Sequence, residues 1–248
     1  MLKDLSERSE QPELMDDFRE GPKKLRFVFD DINRVNKILG GTKITVTAVG
    51  KLMQQNPKEN YTILDMGCGD GQMLREIANY CRKRNINISL IGIDLNSEVL
   101  QLAKEASSQY DEIVFLHQDI LEIDASELSC DIVINTLTMH HFTNTQLVVF
   151  LNKFIELGKI GIVINDLHRS TLAYYLFKLF SVIFIKTKHA KIDGLISIRK
   201  GFIKSELIAY SKGLPSVTHD IQWKWAFRYV WVMQPYRLNG VICARLEL

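Results

Sequence analysis

Residues 63 to 71 read Ile-Leu-Asp-Met-Gly-Cys-Gly-Asp-Gly, an apolar run that reaches an acid and then three alternating glycines. Glycine lets the backbone approach a ligand with no Cβ in the way, and a glycine-rich turn between a buried parallel strand and a helix is how open α/β folds hold nucleotides. The spacing selects among ligands. A pyrophosphate fingerprint wants glycines at 67, 69 and 72, and position 72 is Gln72. Here the third glycine is Gly71, and Asp65 stands at the strand end. A carboxylate there repels a pyrophosphate but suits a ligand that carries an ammonium and a sulfonium, as S-adenosylmethionine does.

Two further acids follow at matching places. The apolar run Ser89 to Ile93 ends in Asp94, where a second parallel strand aims a carboxylate at vicinal ribose hydroxyls. Ile113 to Leu116 leads through His117 and Gln118 to Asp119, which a third strand aims at an adenine amino group, with Leu95 and Ile120 as apolar faces for the ring. Any one of these acids serves equally well as a helix cap. All three together with the glycines form a constellation.

On these residues the chain resembles the class I S-adenosylmethionine-dependent methyltransferases, from about Tyr61 to about Met233. The resemblance implies an α/β fold, a doubly wound, mostly parallel seven-stranded sheet of the Rossmann-like kind, and S-adenosylmethionine as cofactor. It also implies that Asp65, Gly67, Gly69 and Gly71 hold the methionine portion, Asp94 the ribose and Asp119 the adenine. The run Asp131 to Asn135 leads into Thr-Leu-Thr-Met-His-His-Phe (136–142). That stretch is similar to the paired histidine after the fourth strand of small-molecule and quinone-pathway methyltransferases, and it implies that Asn135 faces the methionine moiety. The leader Gln-Pro-Glu-Leu-Met-Asp-Asp (11–17) is similar to one in bacterial methyltransferases of polyketide or aromatic-pigment pathways.

The elements that must position these residues are legible in the periodicity. Strand and helix patterns alternate through the middle of the chain, which argues for a parallel sheet covered on both faces. Helices are expected from Gly71 to about Arg84, from Asn96 or Ser97, from Thr143, and from Gly201 to Gly213. Ile160 to Asn165 reads as the fifth strand, and Val217 to Gln222 and Phe227 to Met233 as the last two. Residues 1–57 form an N-terminal helical cap. Leu25, Phe29, Ile32, Val35 and Leu39 recur at helical spacing up to Gly40-Gly41, and Ile44, Ala48, Leu52 and Met53 suit a second helix that Thr45, Val46 and Thr47 weaken through their branched side chains. Residues 58–234 are the cofactor-binding core, with an apolar helical insertion at about 170–200, and 235–248 are an extension in which Asn239-Gly240 suits a hairpin turn. Pro235 disfavours a central strand.

The stretch Leu172 to Ile185 is apolar almost all round and too short to span a bilayer, which takes about twenty residues. It reads as a buried helix, a wall for an apolar substrate, a homodimer contact or a peripheral membrane patch.

The acceptor chemistry follows from what methyl transfer requires. A phenol with a pKa of about 10 needs a base at neutral pH, and imidazole is best matched to that role. The candidates are His168, first because it follows the end of the fifth strand, then His141, with His140 beside the substrate. Arg169 suits either a substrate carboxylate or phenolate or an outward salt bridge. No counterpart of a catechol-type magnesium site is apparent, so no metal is expected. With 248 residues and a formal net charge of +2, the chain has no basic block that would call for nucleic acid. Its four scattered cysteines read as reduced thiols of a cytoplasmic protein, and no apolar leader opens the sequence. The expected activity is O-methylation of a small aromatic or polyketide-like acceptor, against C-methylation of a quinone precursor or a module that binds the cofactor without transfer.

Overall fold

The computed structural model describes residues 4–18, 20–124, 128–238 and 241–242. A 3-10 turn at Leu14–Asp17 precedes α1 (Pro22–Ile38) and α2 (Gly41–Gln55). Then β1 (Asn60–Met66), α3 (Gln72–Arg82), β2 (Asn87–Asp94), α4 (Ser97–Ala106), β3 (Ile113–His117) and β4 (Cys130–Thr136) alternate, and a 3-10 turn at Met139–His141 leads to α5 (Asn144–Leu157) and β5 (Gly158–Leu167). The insertion supplies α6 (Thr171–Phe184) and α7 (Lys188–Lys200); α8 (Lys204–Lys212), β6 (Val217–Lys224) and β7 (Arg228–Pro235) follow, and β8 (Arg237–Leu238) pairs with β9 (Val241–Ile242). The sheet order is β3-β2-β1-β4-β5-β7-β6, parallel from β1 to β5, with β7 antiparallel to both neighbours.

Alternate residues of the central strands feed opposite faces, as the period of two demands. Leu64, Met66, Val133, Ile162 and Ile164 pack with Phe150 and Phe154 of α5 on one side. Ile63, Ile132, Ile134 and Val163 pack with Val49 and Leu52 of α2 and Leu74 and Ile77 of α3 on the other. Each such fully buried aliphatic chain contributes about 1.5–3 kcal/mol relative to exposure. The sheet is therefore wound on both faces, as expected.

Helix starts fall where the side chains can satisfy them. Asn96 accepts from the amides of Glu98 and Val99, and Thr143 forms a capping box with Gln146. α2 forms despite its branched residues, because Thr45 is buried against Thr136 and Asn165 and tertiary packing outweighs propensity. The expected helix at Gly201 starts three residues late: Phe202 forms a backbone bridge to His168. Pro235 does end a strand flanked on both sides, but at a point where β7 has run past β5 and pairs only with Val217 of β6. The turn at Asn239-Gly240 and Cys243 lie outside the described residues, while Cys68, Cys81 and Cys130 are buried free thiols.

α1 joins the layers above the carboxyl edge of the sheet. Its Leu25 and Phe29 pack on Val99 and Leu102 of α4, and its Val28 and Val35 pack on Ile185 and Ala190 of the insertion. α6 departs from a buried helix. Only Ala173 and Ser181 are buried, and Leu179, Val182 and Ile183 are 66%, 69% and 71% exposed. Among the described residues, no helix is long and apolar enough to cross a membrane.

Candidate active site

The glycine turn leaves β1 with Gly67, Gly69 and Gly71 all at positive φ (80°, 54° and 75°), which explains their identity. A Cβ on Gly67 would stand 2.4 Å from Thr138 Cγ2 and one on Gly69 3.0 Å from the Phe29 ring. The amides of Gly67 and Cys68 donate to the Ile93 carbonyl, so the turn is fastened to β2. Asp94 holds it from the other side: Oδ2 accepts from the Gly69 amide at 2.9 Å and Oδ1 from the Asn96 amide at 3.0 Å. Asp65 is 2% exposed and its Oδ1 has no partner. Burial, and then the neighbouring Asp94 charge, push its carboxyl up to about 8. Burial also raises Asp94, against the hydrogen bonds from Asn96 and Gly69. Asp119 accepts from the Leu121 amide beside buried Ile120, and Leu95, 64% exposed, forms the rim. Asn33 of α1 donates to Asp70 at 2.8 Å and closes the turn from above.

A cavity of about 1310 Å³ runs from this turn to the insertion. A pocket for one drug-sized ligand measures about 300–1,000 Å³, so the volume accommodates a cofactor and a second molecule. Its far part is walled by Phe177, Phe180 and Ile183 of α6 and by Trp225 and Arg228 at the β6–β7 turn. Between the two parts lies a charged cluster that the N-terminal segment completes. His140 is buried, with Nδ1 2.7 Å from Asp166 Oδ1 and Nε2 3.4 Å from Glu13 Oε1. Burial alone would lower its pKa, but the Asp166 and Glu13 carboxylates raise it to about 9. Glu13 also accepts from Ser197 at 2.9 Å and lies 3.5 Å from Lys200 Nζ. Burial opposes its ionisation, yet the His140 hydrogen bond and the charges of His141, His140 and Lys200 hold it down to about 2. His141, its side chain 27% exposed, lines the cavity with Nδ1 3.4 Å from Asp16 and Nε2 3.7 Å from Glu13. The ligand-type atoms of Glu13, His140 and His141 lie within 4.8 Å of one another. Lys200, at the same carboxylate oxygen, already supplies a cation there.

A family model described as a methyltransferase domain matches residues 57–181, half of the chain. The chain belongs to this methyltransferase family. It is 30% identical over 113 residues to the carboxy-S-adenosyl-L-methionine synthase of Desulfotalea psychrophila, a match that spans 44% of either protein, less than half the length of that relative. It is 26% identical over 189 residues to a putative methyltransferase, YqeM, of Bacillus subtilis, covering 75% of this chain and 67% of the other. Among solved structures, the plantazolicin methyltransferase BpumL in complex with a triazolic desmethylPZN analog and SAH is similar in fold at a TM-score of 0.67 and 17% identity, over 87% of this chain and 92% of that one. Magnesium protoporphyrin IX methyltransferase from Synechocystis PCC 6803 with bound SAH gives 0.58 at 13% identity, over 84% and 94%.

The cofactor of class I methyltransferases is S-adenosylmethionine, and the residues present fit it. An orphaned buried carboxylate oxygen and a second carboxylate, both with raised pKa, call for a cation, and Gly67 and Gly69 line the cavity beside them. Asp65, Gly67, Gly69, Asp94, Leu95, Asp119 and Ile120 all line the cavity. Gly71 lies behind it as the N-cap of α3, where a Cβ would meet Phe115 at 2.7 Å.

Besides Gly71, three expected site residues are not in the cavity wall. Leu167, the last residue of β5, faces the cavity, so His168 turns away and packs against Phe227 and Tyr229, with Nδ1 accepting from Trp223 Nε1 at 3.2 Å. Arg169 is wholly engaged: it pairs in bidentate fashion with Glu206 and donates to the carbonyls of Leu5, Ser6 and Gly201. Asn135 is fully buried, with Nδ2 on the Met66 carbonyl and Oδ1 on the Met139 amide, so it ties β1 to the turn after β4. Sequence reasoning missed Phe29, Asn33, Glu13 and Arg228. Phe29 and Asn33 share a helix face above the glycine turn, which the spacing of four could have indicated. For Glu13 the only signal was the acidic leader.

Proposed function

We propose that this methyltransferase moves a methyl group to an oxygen of a small aromatic or polyketide-like acceptor, with His141 as the base. The observation that carries this reading is the continuity of one cavity from the glycine turn, past a partly exposed imidazole, into an apolar chamber. Bound S-adenosylmethionine supplies an electrophilic methyl carbon on a sulfonium. The chain's own task is to hold the acceptor oxygen in line with that carbon and to exclude water. Phe177 and Phe180 provide faces for an acceptor ring.

Within the cluster of Glu13, His140 and His141, elimination favours His141. His140 is protonated at neutral pH, and Glu13, held near 2, is too weak a base. His141 Nε2 lies 3.7 Å from Glu13, beyond hydrogen-bond reach, and its partly exposed ring lines the cavity where an acceptor hydroxyl can approach it. Asp16 at Nδ1 and Glu13 then stabilise the imidazolium. The exposed face of α6 makes the apolar rim between α6 and Trp225 the entrance for the acceptor.

A methyl-donor turnover assay with a panel of phenols tests the reading, and spectroscopy of the product distinguishes an ether from a methylated ring carbon. Cofactor affinity without any product across the panel would instead identify a binding module.

A further inference from the structure

Arg228 opens β7 opposite Leu167 of β5, is 3% exposed and forms part of the cavity wall. Its Nε and Nη1 are buried with no hydrogen-bond partner, and no ion pair to it occurs among the described residues. The contrast with Arg169 is complete, since all five N–H groups of that side chain are engaged. Burial pushes the Arg228 guanidinium down to about 10, offset in part by the charge of Asp166. Asp166 is no counterion in contact. Its Oδ1 is held by His140 Nδ1 and the Leu167 amide, and its Oδ2 by the His140 amide.

Two neighbours bear on the guanidinium. Asn36 also lines the cavity, and its Oδ1 is buried without a partner. A Cβ on Gly41 would stand 2.0 Å from Asn36 Oδ1 and 2.7 Å from Arg228 Cζ, so both polar groups converge on the backbone of Gly41. Gly41 is the first residue of α2, fifteen residues long, and the N-cap Gly40 offers no side-chain acceptor. The positive end of a helix and a guanidinium thus meet with no anion between them, although a helix N-terminus favours a negative partner. A buried, unpaired charge is among the most destabilising features a fold can keep, and each one calls for a partner or a function.

We propose that Arg228, at the positive end of α2, forms an oxyanion subsite for the methyl acceptor, which therefore carries a carboxylate or an acidic phenol beside its apolar body. The guanidinium fork matches either group. The proposal rests on the cavity being the acceptor chamber, but its test needs no turnover, so the two readings fail separately.

The test uses the full chain saturated with S-adenosylhomocysteine. In the carboxylate arm, binding of 1-hydroxy-2-naphthoate is compared with that of its carboxamide. In the phenolate arm, 4-nitrophenol is titrated and its coloured ionised form is followed in the bound state. The wild type is expected to bind the acid at least about tenfold more tightly than the amide, or to lower the pKa of bound nitrophenol, as charge-assisted hydrogen bonds require. Arg228→Gln should abolish the preference while leaving S-adenosylhomocysteine affinity intact and the melting temperature no lower than that of the wild type, and Arg228→Lys should restore part of it. Should Arg228→Gln fold poorly, Arg228→Met serves, because an apolar chain of similar length removes the buried charge. An acid that binds no better than its amide together with an unshifted nitrophenol pKa overturns the proposal, as does a preference that survives in the Gln or Met variant.

Discussion

On the proposed reading, Asp65 serves the cofactor and His141 the acceptor. With its carboxyl raised to about 8, Asp65 is protonated in the empty protein at pH 7. A cationic ligand favours its ionised form, so binding S-adenosylmethionine expels a proton. Affinity then declines as pH falls below about 8, because protonation competes with the ligand. Calorimetry at pH 7 in two buffers of different ionisation enthalpy reads this directly, and a binding heat independent of buffer would remove Asp65 from the role. For His141 the expected outcome is kinetic. His141→Ala should lower kcat about a hundredfold or more, the usual contribution of general base catalysis, with cofactor affinity unchanged. His168→Ala should leave turnover near the wild-type value, since that ring lies outside the cavity wall. Equal losses in the two variants would reject the assignment.

At the scale of elements, the segment around the Leu14–Asp17 turn behaves as a strap across the site. The Leu14 and Met15 amides donate to Asp193 of α7, Arg8 reaches the carbonyls of His140, Phe142 and Lys200, and Glu13 enters the histidine cluster. Its hold depends on pH with a definite sign. Glu13, lowered from 4.5 to about 2, contributes fully above 4.5 and is lost as pH falls through 2. His140, raised from 6.5 to about 9, contributes fully below 6.5 and is lost as pH climbs through 9. The melting-temperature difference between the wild type and His140→Gln should therefore be largest between about 4.5 and 6.5 and shrink toward pH 9, separate from the loss that the raised Asp65 carboxyl adds between 3.8 and about 8. Near neutrality His140→Gln should cost about 3 kcal/mol, the usual penalty for breaking a buried pair. A difference from the wild type that stays constant up to pH 9 would count against the strap as the titrating element.

The same elements show what the sequence carries and what it does not. The glycine turn and its acids were legible because φ above zero and close backbone approach restrict residue type, so the constraint is written locally at Gly67, Gly69, Asp65 and Asp94. Strands β1 to β5 were legible through their apolar runs. Glu13 was not, because its bond to Ser197 spans 184 residues and no local pattern encodes it. His168 and Arg169 misled for a related reason. One residue of register decides whether a side chain at a strand end meets the cavity or the packing behind it, and the partners Trp223 and Glu206 lie far along the chain. The exposure of α6 was equally hidden, since an apolar helix reads the same whether buried or bare.

On the scale of the whole molecule, the bare face of α6 is the least expected surface. Exposed Leu172, Leu179, Val182 and Ile183 stand near Lys178, Lys186 and Lys188, and no Asp or Glu occurs from 167 to 192. An apolar face rimmed by lysines suits an anionic lipid surface, where each basic residue adds about 1 kcal/mol. The protein should sediment with vesicles of phosphatidylglycerol and phosphatidylcholine and not with phosphatidylcholine alone, and the pair Val182→Asp and Ile183→Asp should release it. Vesicle binding that persists in this double variant would place the contact elsewhere, whereas a shift from dimer to monomer on the same substitutions would make α6 a contact between two copies.

The cavity lining includes exposed residues at two places, Leu95 on the cofactor side and Ile183 and Trp225 on the other. Were each of them a mouth, spent nucleoside would depart through one while the acceptor stayed seated behind the other. On the proposed reading, an acceptor with two reactive oxygens would then be modified twice in a single residence.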